Sequence, residues 1–91
     1  MMQLKVRGFT KVTLKKFNDV VNNPLVAISP INQNELELAA GEISVNNTSA
    51  RLIDGKSDEF IGLTKTIREK LGFKKGQEVE IKFSGGELDI R

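Results

Sequence analysis

The sequence predicts a mainly β domain, folded as a small closed β-barrel of about six to eight strands with two short helices. Apolar and polar residues alternate in several short segments, as they do in strands with one buried face. The two halves of the chain also resemble each other, and two interlocked copies of a β-rich unit close readily into a barrel. A length of 91 residues predicts a single domain over residues 1–91, with one small core.

In the first half, predicted strands surround one helical segment. Alternation predicts a strand over residues 3–7, and apolar residues at three- and four-residue spacing predict a helix between Thr10 and Val21. The apolar run Leu25–Ile31 predicts a strand buried on both faces, whose proline places its end near a sheet edge. Asn32–Asn34 has the composition of a turn, and Glu35–Leu38 alternates as a strand does.

The middle of the chain predicts three further short strands. Alternation resumes at Ile43 and Val45, and apolar residues return over 50–53. The polar stretch Asp54–Asp58 predicts a connection, after which Phe60–Leu63 predicts another strand.

The last third carries the clearest local signals. Thr66 and Glu69 match a capping box, which predicts the start of a helix, with Thr64 as a rival N-cap. Gly72 stands where a left-handed residue ends a helix. The alternation that follows predicts a β-hairpin with its turn at Ser84–Gly86.

A weak internal repeat relates the two halves. Gly8–Lys11 resembles Gly62–Lys65 at an offset of 54 residues, and Glu35–Leu38 resembles Glu87–Ile90 at an offset of 52. Chance similarity is the alternative to a duplication. A duplication predicts a pseudo-two-fold axis between halves of about 3–40 and 50–91.

Composition excludes several kinds of chemistry. The chain has 0 Cys and 0 His, so it lacks thiol nucleophiles, imidazole bases and the usual zinc ligands. The acidic residues Asp54, Asp58 and Glu59 fall in a polar loop, where water keeps carboxylates ionised. We therefore expect a non-enzymatic protein with no cofactor and no metal. The first residues lack the apolar run of a signal peptide, which predicts a cytoplasmic protein.

The net charge of +2, from 14 basic and 12 acidic residues, is close to balanced. A basic cluster over residues 5–16 can contact phosphate, with further cations from a neighbouring loop, or it is an ordinary solvated face. The candidate nucleic-acid-binding residues are Arg7, Lys11, Lys15, Arg51 and Lys56. The five Phe residues (Phe9, Phe17, Phe60, Phe73 and Phe83) fall at positions whose periodicity predicts the core.

Residues 60–91 resemble the AbrB/MazE family of swapped-hairpin DNA-binding domains. The resembling run is Ile61-Gly62-Leu63-Thr64-Lys65-Thr66-Ile67-Arg68-Glu69-Lys70-Leu71-Gly72-Phe73-Lys74-Lys75-Gly76-Gln77-Glu78-Val79-Glu80-Ile81. Similar runs occur in double-psi and other cradle-loop barrels, so the resemblance implies the cradle-loop superfamily. The chain departs from the AbrB pattern at Glu59-Phe60, where the family has Gly-Arg, and at Thr64, where it has Pro.

The resemblance implies a DNA-binding transcriptional regulator or antitoxin-like protein, with double-stranded DNA as its partner and a homodimer as its assembly. The alternative is a monomeric duplicated barrel that binds a protein or peptide as an adaptor, with Leu25–Ile31 as a candidate sheet edge. No membrane association is expected.

Overall fold

The structure, a computed structural model, describes residues 2–9 and 24–91. Its elements are β1 (Met2–Arg7), β2 (Leu25–Ile28), α1 (Pro30–Leu36), β3 (Gly41–Val45), β4 (Thr48–Asp54), β5 (Phe60–Leu63), α2 (Lys65–Leu71), β6 (Glu78–Ser84) and β7 (Glu87–Ile90). The helix predicted between Thr10 and Val21 lies outside these residues, as do Lys11, Lys15 and Phe17. No helix in the described ranges is long and apolar enough to cross a bilayer.

All seven described strands join one closed barrel, in the order β1-β5-β2-β4-β3-β7-β6. Three pairs are parallel, namely β1 with β5, β2 with β4, and β3 with β7, and the other pairs are antiparallel. The prediction of a mainly β closed barrel is therefore confirmed. The predicted sheet edge at Leu25–Ile31 is wrong, because β2 has hydrogen-bonded neighbours on both sides.

Alternating apolar side chains from the strands fill the barrel. Those with no exposed surface include Val6, Ile28, Ile61 and Leu88, and each contributes about 1.5–3 kcal/mol by leaving water. Partly buried Phe73 and Phe83 pack against this core, as predicted.

A pseudo-two-fold axis, the pseudo-dyad, relates β1-β2-α1-β3 to β4-β5-α2-β6, and β7 lies outside the repeat. Met2 pairs with Ile81 between β1 and β6, and Thr48 pairs with Val45 between β4 and β3. The rotation therefore carries Met2 onto Thr48, an offset of 46 residues, and Val45 onto Ile81, an offset of 36.

Main-chain hydrogen bonds obey the same rotation. The Lys5 amide donates to the Glu59 carbonyl at 3.0 Å, and the Arg51 amide donates to the Pro24 carbonyl at 2.8 Å. These two bonds are equivalent, since Lys5 corresponds to Arg51 at an offset of 46 residues and Pro24 corresponds to Glu59 at an offset of 35. The expected pseudo-symmetry is present, but the offsets of 54 and 52 inferred from the sequence align the wrong segments.

The two helices begin and end at equivalent residues. Ser29 and Thr64 occupy the N-cap positions of α1 and α2, an offset of 35 residues, so Thr64 rather than Thr66 precedes the second helix. Only Ser29 forms a side-chain capping bond. Glu37 and Gly72 end the helices in the left-handed conformation, with φ of 59° and 77°. Gly72 therefore has the predicted role.

The turn predicted at Asn32–Asn34 and the strand predicted at Glu35–Leu38 are both wrong, because Pro30–Leu36 is helical. Pro30 begins the helix, where its fixed φ is favourable and its missing N–H leaves no helical bond unmade. The Ser29 hydroxyl accepts a hydrogen bond from the Asn32 amide at 3.3 Å.

Candidate ligand-binding cleft

Four residues lie side by side on the outer surface of the barrel, across β1, β5, β2 and β4. Arg7 is opposite Gly62, Gly62 is opposite Ala27, and Ala27 is opposite Ile53. Their side-chain positions alternate with those of the residues that fill the barrel, so they face away from the interior. The pseudo-dyad passes between Gly62 and Ala27, in the middle of this row.

The two small residues at the pseudo-dyad form the floor of a cleft of about 180 Å³. A Cβ atom at Gly62 would lie 3.0 Å from the Ala27 Cβ and 3.3 Å from the Phe9 Cζ, so a larger residue would crowd this floor. The walls come from the segments that follow β1 and β4 and from the start of β5; the remaining lining residues are Gly8, Phe9, Asp54, Gly55, Lys56, Ser57 and Phe60.

Arg7 lies over the face of Phe60, with its guanidinium carbon 4.9 Å from the ring centroid. A cation–π contact of this kind is worth about 0.5–1 kcal/mol at an exposed site. It holds the guanidinium at the border of the cleft. The prediction that Phe9 and Phe60 belong to the core is wrong, because both are only partly buried and both line the outer cleft. Phe60 precedes the inward-facing Ile61, so the strand turns it outward.

Helix α1 holds the loop that forms the second wall. The Gln33 side-chain amide donates to the Asp54 carboxylate at 2.8 Å and to the carbonyl that ends β2 at 2.7 Å. The Asn32 side-chain amide donates to the Asp58 carbonyl at 2.9 Å. Both amide side chains are buried, so their hydrogen bonds are costly to lose. They fix the loop that carries Lys56.

The structure brings together two of the five predicted nucleic-acid-binding residues. Arg7 and Lys56 both line the cleft, from opposite walls. Arg51 lies on β4 opposite Leu25 and does not line the cleft. Lys11 and Lys15 lie outside the described residues.

The cleft combines an apolar floor with cationic and anionic groups at its border. The pseudo-dyad relates its two walls in the main chain, yet their side chains differ, with Arg7 on one strand where the other has Ile53. An asymmetric site of this kind can distinguish the two ends of a ligand.

Comparison with solved structures shows the same architecture in two designed proteins. The rationally designed mkDPBB_sym1 protein matches with a TM-score of 0.65 and 20% identity, over 91% of this chain and 98% of its own. The rationally designed apDPBB_sym_79 protein matches with a TM-score of 0.64 and 20% identity, over 91% of this chain and 97% of its own. No family model and no curated protein matches the chain. The chain thus has the fold of these designed double-psi β-barrels.

Proposed function

We propose that this chain is a non-enzymatic adaptor module, whose cleft binds a peptide segment of a partner protein. The segment places one apolar side chain on the Gly62–Ala27 floor and a neighbouring carboxylate beside Arg7 and Lys56. The observation that carries the proposal is that both cations line one cleft with a small apolar floor, while the Asp54 carboxylate of the same cleft is hydrogen-bonded to Gln33.

The size of the cleft favours a side chain over a whole small molecule. Its volume of about 180 Å³ is below the roughly 300–1,000 Å³ of sites that enclose drug-sized ligands. The ring of Phe60 and the flat floor at Gly62 offer apolar contact for one aliphatic or aromatic group.

The charges at the cleft favour a single carboxylate over a phosphate backbone. Arg7 and Lys56 can together contact one acidic side chain and the main chain next to it. A DNA backbone needs a longer track of cations, because its affinity comes from neutralising many phosphates. The loop beside Lys56 carries the exposed Asp58 and Glu59, which interrupt such a track.

Chemical shifts of the ¹⁵N-labelled chain test the proposal. The probe is the capped peptide Gly-Glu-Leu-Gly, with Gly-Gln-Leu-Gly and Gly-Glu-Gly-Gly as matched peptides. The amides of Phe9, Gly55 and Gly62 should shift and saturate with the first peptide, and the other two should bind more weakly. Shifts spread over the surface, or equal binding of all three peptides, would contradict the proposal.

Variants that replace a cation with neutral glutamine show which cations contribute to peptide binding. Arg7→Gln and Lys56→Gln should each weaken the Gly-Glu-Leu-Gly peptide by about two- to fivefold, since exposed ion pairs contribute about 0.2–1 kcal/mol. Lys82→Gln makes the same charge change on the exposed face of β6 and should leave the affinity unchanged. If all three variants weaken binding equally, only net charge matters and the cleft is not the site.

DNA binding of the AbrB type is the second candidate, and one observation favours it. Lys5 and Arg7 are both exposed on the outer face of β1, and Arg7 shares the cleft with Lys56. A short labelled duplex should then bind with a steep dependence on salt, and the Arg7→Ala, Arg51→Ala double variant should abolish the binding. That result would replace the peptide proposal.

A further inference from the structure

Helix α2 carries a cationic residue at a position where α1 carries an amide. The pseudo-dyad relates Gln33 to Arg68 at an offset of 35 residues. Each side chain donates a hydrogen bond to the carbonyl that ends the preceding strand, Ile28 for Gln33 and Leu63 for Arg68. The helical main-chain bonds beside them match too, since Gln33 N donates to Ser29 O and Arg68 N donates to Thr64 O.

Arg68 has no equivalent of the Asp54 carboxylate that binds Gln33. Gln33 donates its second bond to the carboxylate of Asp54. The pseudo-dyad places Gly8 where Asp54 stands, at the offset of 46 residues that relates β1 to β4. Gly8 has no side chain, so this position supplies no carboxylate to Arg68.

A second cation converges on the same point. A Cβ atom at Gly8 would lie 3.0 Å from Arg68 Nη1, 3.4 Å from Lys75 Nζ and 2.9 Å from Lys75 Cε. Neither Arg68 nor Lys75 forms a salt bridge with any residue in the described ranges. In the other half, the turn after α1 carries only Ala39 and Ala40 between Leu38 and Gly41.

The main chain holds this arrangement in place. The Gly76 amide donates to the Val6 carbonyl at 2.7 Å, and the Val6 amide donates to the Gln77 carbonyl at 2.9 Å. These bonds fasten the turn that carries Lys75 to the end of β1, next to Gly8. Arg68 is half-buried, which limits the screening of its charge by water.

We infer that Arg68, Lys75 and the main chain at Gly8 form a binding site for a phosphate group. The ends of Arg68 and Lys75 fill the space beside Gly8, and a phosphate must move these flexible ends to enter it. Two such cations match a doubly charged oxyanion, because the guanidinium fork and the ammonium can each donate to a different phosphate oxygen. The phosphate takes the place that the Asp54 carboxylate has in the other half. This inference rests on different cations from those of the proposed peptide cleft, so either proposal can fail alone.

Phosphate titration of the ¹⁵N-labelled chain tests the inference, with inorganic phosphate as the probe and sodium chloride at matched ionic strength as the reference. The Gly8 amide and the Arg68 Nε–Hε group should shift and saturate. Acetate, with a single charge, should bind more weakly. Capped phosphoserine distinguishes the source, since tighter binding than inorganic phosphate indicates a phosphorylated side chain and equal binding indicates the free ion. Shifts that stay linear in phosphate and match those in chloride would overturn the inference.

Three variants make the test specific. Arg68→Gln installs the residue of the equivalent position, which keeps the bond to Leu63, and should weaken phosphate binding by about tenfold or more. Gly8→Asp places a carboxylate between the cations and should abolish binding; Gly8 has no left-handed φ, and the atoms that it would crowd are ends of flexible side chains. Lys75→Gln should weaken binding, and Lys70→Gln, elsewhere on α2, should not.

Undiminished phosphate binding in both Arg68→Gln and Gly8→Asp would refute the site. If Gly8→Asp does not fold, Arg68→Gln and Lys75→Gln still decide the question. The Gly-Glu-Leu-Gly peptide provides the remaining control, because Arg68→Gln should leave its binding to the cleft unchanged.

Discussion

Gln33 and Arg68 occupy equivalent positions in the two halves of the barrel, and each donates a side-chain hydrogen bond to the last carbonyl of the strand before its helix. The shared bond fastens each helix to the barrel wall. The remaining bonding capacity differs, because Gln33 binds the carboxylate of Asp54 and Arg68 faces Gly8. The same main chain thus supports a loop anchor in one half and a cationic site in the other.

The two side-chain hydrogen bonds of Gln33 lead to a first prediction. Gln33→Met keeps the length of the side chain but removes both hydrogen bonds, so it should lower the free energy of unfolding by about 1–3 kcal/mol. The loss should also speed hydrogen exchange at the Gly55 amide, which donates to the Ile28 carbonyl at 2.9 Å. Urea denaturation and exchange NMR measure the two effects. Asn34→Met changes an exposed amide on the same helix and should alter neither.

The ends of the two helices lead to a second prediction. Glu37 adopts a left-handed conformation that costs L-residues about 1–2 kcal/mol, whereas Gly72 adopts it freely at the equivalent position. Glu37→Gly should therefore stabilise the fold by roughly 0.5–1 kcal/mol, and Gly72→Ala should destabilise it by a similar amount. Thermal unfolding of the two variants provides the comparison. A Glu37→Gly variant that melts below the parent chain would contradict the assignment.

Glu87 gives a third prediction, on pH. Hydrogen bonds from the Ser44 side chain and the Asn47 amide lower the pKa of Glu87 below its ordinary value. Because the pKa is depressed in the folded chain, the stabilisation is complete above the ordinary carboxyl pKa and is lost as the pH falls through the folded value.

The Glu87→Gln variant lacks this stabilisation. It should therefore unfold more easily than the parent chain at about pH 7, and the difference should shrink towards about pH 2. Urea midpoints at the two pH values measure it, and Glu35→Gln, at an exposed position on α1, corrects for the change in net charge. If the difference in urea midpoint between Glu87→Gln and the parent chain does not change with pH, the charge of the Glu87 carboxylate does not stabilise the fold.

The core gives a fourth prediction, which uses the pseudo-dyad. Val6 and Leu52 are equivalent under the 46-residue offset, and both are buried in the same core cluster. Leu52→Ala should cost about 2–5 kcal/mol, and Val6→Ala should cost somewhat less because it deletes a smaller group. Ile31→Ala is the control, since Ile31 is 61% exposed and its truncation should cost little. A large loss of stability in Ile31→Ala would show that this side chain is buried in an interface with another molecule.

Local pattern was enough to predict most strands, because alternation and turn glycines act within a few residues. The strand at Phe60–Leu63, the hairpin turn at Ser84–Gly86 and the helix end at Gly72 are all present. Helix α1 could not be predicted from apolar spacing, because polar side chains lie on its buried side. It buries the polar Asn32 and Gln33 and exposes the apolar Ile31, so its hydrophobicity gives no helical stripe.

The binding cleft could not be predicted from local pattern, because its residues come from separate segments of the chain. Arg7, Gly62 and Ala27 become neighbours only through the pairing of β1 with β5 and of β5 with β2. Phosphate-site residues Arg68 and Lys75 look like ordinary charges at a helix and a turn. Only the comparison with Gln33 and Asp54 across the pseudo-dyad gives them a shared role.

Nuclear Overhauser contacts in a mixed sample of ¹³C-labelled and unlabelled chains test the central claim most directly, namely that one chain supplies both halves of the barrel. The Val6–Ile61, Val26–Leu52 and Ala27–Gly62 pairs should give contacts within a single chain, and light scattering should show a monomer near 10.1 kDa. The same contacts found between labelled and unlabelled chains would show a swapped dimer and contradict the claim.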